Sequence, residues 1–294
     1  MDFYKLLIQK VINRILNIGC KIFTRLSFSL YKGALSNRSF DSMSSVLLWM
    51  LDGLKEKYPS FELKDIKVAE IGTGQFLTHP VGFLLLGVSK VVSFDLYRQF
   101  NKAASVLSFS QNVMAKKIFS KYVSSDFYIK VMNGIESSKF DLIELEKCGI
   151  EYKAPFDLQD YKTDNYFDLI FSYTVLEHVP PNSIELLLVK SINVLKSGGK
   201  FCHYIDMEDH LNSKQPFDFL IQQDWGDEDC YLRGNRLRFG DWKNIFNKIS
   251  NIEYEFFHII RREAHLIPQL VRSQPGFNEE NIRVSGILVI GSKN

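Results

Sequence analysis

Apolar residues recur along this chain at two different spacings, and the alternation between those spacings predicts the fold class. Val46, Leu47, Met50, Leu51 and Leu54 share one face of a helix over Ser42–Lys57, which Pro59 must end. The pattern then shortens. Lys67–Gly72 reads as a buried strand entering a glycine turn, His79–Gly87 as a helix, and Val91–Asp95 as a second strand. Ile150–Phe156 reads as a third strand and Phe167–Ser172 as a fourth. Ser183–Leu195 places Ile184, Leu187, Leu188, Ile192 and Leu195 on one helical face, with Asn182 or Ser183 to cap its start and Gly198–Gly199 to end it. Lys200–Asp206 is a fifth strand, and Ile252–Ile260 and Val284–Ile290 are the last two. Strands alternating with helices imply right-handed crossovers and an α/β fold around a mostly parallel sheet.

Two segments interrupt this alternation. The stretch from 97 to 148 is long for a strand–helix link and carries helical pieces at Val113–Tyr122 and Phe140–Glu146. It is expected to be a helical insertion that covers a site at the C-terminal edge of the sheet. Residues 207–245 are polar and aromatic and form a second, substrate-side insertion. The expected organisation is an N-terminal helical region over 1–60 followed by one catalytic-type domain over 61–294.

Residues 1–33 carry six basic side chains against Asp2, a local net charge of +5 in a chain whose total is +2. Polar residues at 10, 13, 14, 17, 21, 24 and 25 lie opposite Leu7, Ile8, Val11, Ile12, Ile15, Ile18, Ile22, Phe23 and Leu26. Such a basic amphipathic helix can lie on an anionic membrane surface, or it can pack on its own domain or a second subunit. With 294 residues, 46% of them hydrophobic and 24% charged, the chain has globular proportions. No apolar run approaches the ~20 residues that span a bilayer. Cys20, Cys148, Cys202 and Cys230 show no CxxC spacing, which disfavours a zinc ribbon or redox pair. The expectation is a cytoplasmic protein with no nucleic-acid partner, in which residues 1–33 either pack on protein or make peripheral contact at the inner membrane face.

The sharpest motif is Glu70-Ile-Gly72-Thr73-Gly74. Two glycines let the backbone turn sharply and approach a ligand. Position 77 is Leu, so the GxGxxG dinucleotide fingerprint is incomplete and a nicotinamide enzyme is disfavoured; no Gly-Lys-Ser/Thr follows, so this is not a P-loop. Acid-x-Gly-x-Gly after a first strand suits S-adenosyl-L-methionine (SAM), whose ammonium, ribose diol and adenine want carboxylates, backbone carbonyls and an apolar slot. Asp95 closes the second strand, where a carboxylate can accept both ribose hydroxyls. Asp157 and Leu158 follow the third strand and suit the adenine amino group and ring.

Glu70–Gly74, Val91–Asp95, Phe167–Ser172 with Leu176-Glu-His-Val179, and Val194-Leu-Lys-Ser-Gly-Gly199 resemble the class I SAM-dependent methyltransferases over roughly residues 66–206. The resemblance implies a Rossmann-like seven-stranded, mostly parallel sheet with helices on both faces and an antiparallel C-terminal strand. It also implies SAM as methyl donor. The cofactor contacts it implies are Glu70, Gly72, Thr73, Gly74, Asp95, Leu96, Asp157, Leu158, Ser172 and Tyr173. A looser likeness is to members that act on small molecules or glycans. Gln75 stands where many relatives carry an aromatic residue.

For a hydroxyl acceptor the chemistry needs alignment and removal of a proton. The expected catalytic group is His210 as general base, with Asp206 orienting it or the acceptor and His178 nearby; each histidine has at least an equal reading as a structural residue. Asp206, Asp209 and His210 offer few ligands for a hard ion such as Mg²⁺, and no metal site is assigned. Tyr231, Arg236 and Arg238 are expected to contact an anionic or sugar acceptor, and the arginines could equally pair with Asp227, Glu228 and Asp241. The alternative function is a methyltransferase-fold binding module without turnover, at a membrane or protein partner.

Overall fold

The computed structural model of the chain describes residues 39–110 and 112–294. The basic amphipathic segment over 1–33 and Cys20 lie outside the described residues. Seven strands join in one sheet, β1 (Lys67–Ile71), β2 (Lys90–Phe94), β3 (Ile150–Lys153), β4 (Phe167–Tyr173), β5 (Leu195–Asp206), β6 (Ile252–Arg261) and β7 (Val284–Lys293). Their order is β3-β2-β1-β4-β5-β7-β6. The pairs β1–β4, β2–β3 and β4–β5 are parallel, and β7 runs antiparallel to both β5 and β6. This is the Rossmann-like arrangement that the resemblance to class I methyltransferases implies, with the final strand inserted between its two predecessors. Among the described residues no helix is long and apolar enough to cross a membrane.

Eleven α-helices accompany the strands among the described residues. In chain order they are α1 (Phe40–Lys57), α2 (Thr78–Leu85), α3 (Lys102–Phe109), α4 (Val113–Phe119), α5 (Ser125–Ser138), α6 (Leu142–Lys147), α7 (Pro181–Val194), α8 (Asp227–Arg233), α9 (Phe239–Lys248), α10 (Gln269–Arg272) and α11 (Glu279–Arg283). The chain gathers into two compact units. One comprises residues 39–49, Glu62–Asp65 and Thr73–Pro155; the other comprises Met50–Phe61, Ile66–Gly72 and Phe156–Asn294.

The first unit holds α2 to α6 with β2 and β3. Its core is an aromatic and aliphatic cluster in which Phe40, Phe109, Phe119 and Phe140 meet Leu77, Val81, Met132 and Ile135. Phe40 and Phe109 rings sit 4.4 Å apart. The stretch over 97–148 carries the four helices α3 to α6. Helix α5 buries Tyr128, Met132 and Ile135 at spacings of four and three, with Ser124 capping its start by accepting from Phe127 N at 3.3 Å. Helix α6 is capped by Asp141, which accepts from Ile143 N and Glu144 N.

The second unit packs β4, β5 and β7 around Phe167, Phe171, Phe201, Trp242 and Phe246, all fully buried. Every residue of β7 but the last is buried, so the strand is covered on both faces around the apolar run Ile287–Ile290. Two expectations for α7 and β5 are corrected. Helix α7 begins at Pro181, two residues before Ser183, with no side-chain cap. Proline fits the first helical position because its fixed φ suits the helix and its missing N–H would be unpaired there anyway. Gly198 and Gly199 do not end α7, which stops at Val194. They lie inside β5, where the register against β4 shifts between Phe167 and Leu169, and Gly198 takes φ +75°. The glycines serve an irregularity in the strand.

Candidate functional site

The first unit carries four of the predicted cofactor residues, Thr73, Gly74, Asp95 and Leu96. Gly74 leaves the glycine turn with φ +66°, and its N–H points to Asp95 Oδ1 at 3.4 Å. Asp95 is buried at the end of β2, and its Oδ2 accepts from the Tyr152 hydroxyl at 2.9 Å. That same hydroxyl accepts from the main-chain N–H groups of Gln99 and Phe100 at 3.0 and 3.1 Å. Burial and the facing Asp95 carboxylate push the Tyr152 phenol well above its ordinary range, so it stays a donor to Asp95. Tyr152 is thus a positioning residue for Asp95 that sequence reasoning did not name. It lies at the third position of β3, and a strand tyrosine has no pattern of its own to signal this role.

A β-carbon built on Gly74 would meet no atom within 4 Å, so the backbone there faces open space. Thr73 Oγ1 is buried with no hydrogen-bond partner among the described residues. An open cradle beside an unsatisfied hydroxyl and a held carboxylate fits a polar ligand such as SAM. Leu96 is 56% exposed and available as a contact surface.

The second unit holds the remaining predicted contacts. Glu70 is buried in β1, opposite Phe171 of β4. Gly72 has φ +75°, and a β-carbon there would lie 2.4 Å from Val175 Cγ2, so both dihedral and packing require glycine. Ser172 Oγ is hydrogen-bonded to His203 Nδ1 at 2.8 Å. The Tyr173 and Tyr204 rings stack at 5.4 Å. Asp157 Oδ1 caps a short 3-10 turn by accepting from Gln159 N at 2.9 Å, and Leu158 is buried.

The predicted catalytic residues converge in this second unit. The His178 and His210 rings meet edge to face with centroids 4.6 Å apart. His210 Nε2 lies 3.7 Å from Asp206 Oδ2 and 3.9 Å from Glu177 Oε1. Glu177 is only 1% exposed, and it is the member of this group that sequence reasoning did not single out, although it stands beside His178 in the segment quoted above. Burial raises the Asp206 carboxyl to about 6, against the opposing effect of the Glu208 N–H that it accepts at 3.0 Å.

Asp209 after β5, Arg233 at the end of α8 and Asn235 just beyond it hold this group together. Asp209 is not available as a ligand or base. Its buried carboxylate takes both ends of the Arg233 guanidinium at 3.0 and 2.5 Å. Arg233 O in turn accepts from His210 N at 3.3 Å. Asn235 clips the short turn bearing Glu177 and His178: its Nδ2 donates to Leu176 O and Val179 O at 3.0 and 2.9 Å, and its N–H to Glu177 O at 2.6 Å.

The expected acceptor contacts divide. Tyr231 is 38% exposed, with its ring 6.4 Å from that of His178. Arg236 places its guanidinium carbon 3.8 Å from the centre of the Trp225 ring and donates to Gln222 O. Arg238 is corrected from a substrate residue to a structural one. It is 5% exposed, and its guanidinium donates to the carbonyls of Met207, Ile282 and Val284. Burial without a direct carboxylate partner lowers its pKa to about 10.

No family model and no curated protein matches the chain. Solved structures resemble it at low identity. One is an S-adenosylmethionine dependent methyltransferase from Mesorhizobium loti, with 16% identity and a TM-score of 0.43 over 81% of this chain and 95% of that one. Another is the YcgJ protein from Bacillus subtilis, with 14% identity and a TM-score of 0.45 over 82% and 97%. A third is phosphoethanolamine N-methyltransferase 2 from Haemonchus contortus, in complex with S-adenosyl-L-methionine, with 13% identity and a TM-score of 0.44 over 84% and 52%.

Proposed function

We propose that this protein is a SAM-dependent methyltransferase that transfers a methyl group to a hydroxyl of a small-molecule or glycan-type acceptor. The observation that carries the reading is the Asp95 carboxylate, held by Tyr152 beside the open backbone of Gly74. A carboxylate fixed at the end of the second strand, next to a glycine turn, is suited to a nucleoside diol. Thr73 Oγ1 and Gly74 offer the adjoining polar and unobstructed surface.

When bound, SAM supplies an electrophilic methyl group on a sulfonium. The chain's own part is to hold the acceptor and take its proton. His210, flanked by Asp206 and Glu177, is placed to accept that proton, because two carboxylate oxygens within 4 Å stabilise the imidazolium that results. Tyr231 supplies an exposed ring on which an acceptor could rest.

Titration of the full chain with SAM by calorimetry tests the cofactor reading. Saturable micromolar binding is expected, weakened at least tenfold by Asp95→Ala. Absence of binding for both SAM and S-adenosylhomocysteine would overturn it. Labelled SAM incubated with native metabolite extract would then identify the acceptor.

A further inference from the structure

We infer that Glu177, His178 and His210 form a binding site for one borderline divalent metal ion of the Zn²⁺ type. Each residue can offer one ligand atom, and these atoms lie within 4.8 Å of one another. Tetrahedral coordination at Zn–N and Zn–O lengths of about 2.0–2.2 Å places ligand atoms about 3.3 Å apart. The 3.9 Å between Glu177 Oε1 and His210 Nε2 is therefore within a small side-chain rotation of coordination.

The surroundings favour metal ligation. His178 Nδ1 faces Cys230 O at 3.3 Å. A proton on Nδ1 donated to that carbonyl leaves Nε2 as the lone-pair nitrogen, and a carbonyl behind the far ring nitrogen is how ligating histidines are commonly oriented. Both loops that carry the ligands are anchored on one segment. Asn235 clips the 176–179 turn, and Arg233 fixes the 209–210 loop through Asp209. The ligand positions are therefore preset by main-chain bonds.

Two imidazoles and one carboxylate select Zn²⁺ and its neighbours over Mg²⁺ or Ca²⁺, which prefer all-oxygen shells. The hard-ion set of Asp206, Asp209 and His210 is not assembled, because Arg233 occupies Asp209. Three protein ligands leave a fourth position for water or a polar group of a small molecule. An ion here takes the Nε2 lone pair that proton transfer by His210 would use. Ion occupancy and proton transfer therefore compete for His210, but ion binding is measured without SAM or acceptor, so loss of the methyltransferase reading leaves this one standing.

The test uses the full chain, free of any purification tag and stripped of metal. Zn²⁺ is titrated in competition with a chromophoric chelator, and Co²⁺ binding is followed by visible absorption. The expected result is one ion per chain, with absorption of tetrahedral intensity. Affinity should fall at least 100-fold in His210→Ala and in His178→Ala, and Mg²⁺ should not compete. Glu177→Gln should behave alike; should its buried position prevent folding, the two histidine variants decide, with circular dichroism confirming their folds. No stoichiometric Zn²⁺ or Co²⁺ binding, or binding retained in both histidine variants, would overturn the inference.

Discussion

Asp209 and Arg233 form a two-pronged ion pair across 24 residues of chain, with the carboxylate fully buried and the guanidinium mostly so. Asp209 Oδ1 also accepts from Leu211 N at 2.9 Å. The pair therefore joins the end of β5 to the end of α8 and sets where His210 can stand. Removing only the acid leaves a largely buried guanidinium without its counter-charge, a change that typically costs about 3 kcal/mol. Asp209→Ala should lower the unfolding midpoint in urea by a corresponding amount, while Glu56→Ala, a control at an exposed position of α1, should leave it within error. Equal midpoints for the two variants would contradict the role assigned to the pair.

Tyr152→Phe separates positioning from binding. The hydroxyl donates to Asp95 and accepts from two main-chain N–H groups, so its loss strands part-buried donors at a cost of about 2 kcal/mol. It also releases one oxygen of Asp95. The expected outcome is a roughly tenfold weaker SAM affinity with the adenosine-diol contact still present, whereas Asp95→Ala removes that contact. Affinity unchanged in Tyr152→Phe, measured by calorimetry on folded protein, would show that Asp95 needs no such support.

Apolar runs made β1, β2, β4 and β7 legible in the sequence, because strands buried on both faces carry near-continuous hydrophobic residues. Helix α5 was harder to read. Its three buried apolar positions, Tyr128, Met132 and Ile135, are spread among Lys130, Asn133 and Glu136. The start of β5 was hidden by Gly198 and Gly199, since paired glycines after a helical run signal a helix end as readily as a strand irregularity. In the site, His178, Asp206 and His210 could be nominated by residue type and by their position after strands. That Asp209 is occupied by Arg233, and that Arg238 is spent on three carbonyls, depends on long-range packing that spacing does not encode. Glu177 became a site residue only through its burial against His210.

The two glycines of the turn should respond differently to the same substitution. Alanine at Gly72 must adopt φ +75° and drive its methyl into Val175, 2.4 Å away. Left-handed strain and overpacking together should cost about 3 kcal/mol. Val175→Ala in the same chain should recover the packing part and leave the dihedral part. Alanine at Gly74 meets nothing, so only the dihedral strain of about 1–2 kcal/mol applies. Its methyl would instead occupy the open space beside Asp95. Gly74→Ala should therefore fold and lose SAM affinity, whereas Gly72→Ala should first lose stability. Thermal melts and calorimetry on both variants check this, and identical behaviour of the two would refute the distinction.

His203 gives the protein a defined sensitivity to acid. It is fully buried in β5, hydrogen-bonded to Ser172, and burial lowers its pKa from 6.5 to about 3. Above pH 6.5 the imidazole is neutral in both folded and unfolded chains and adds no pH dependence. Below it the unfolded chain binds a proton that the folded chain refuses. Stability then falls by about 1.4 kcal/mol per pH unit from this residue alone, until the folded pKa is reached. His203→Gln removes the ionisable group and keeps a side chain able to meet Ser172. The variant should show a shallower loss of stability than the parent between about pH 6 and pH 4, by close to one proton. Urea unfolding at several pH values measures both slopes. Parallel slopes would mean that the buried imidazole is protonated in the folded chain, and the assignment of His203 as a neutral partner of Ser172 would fall.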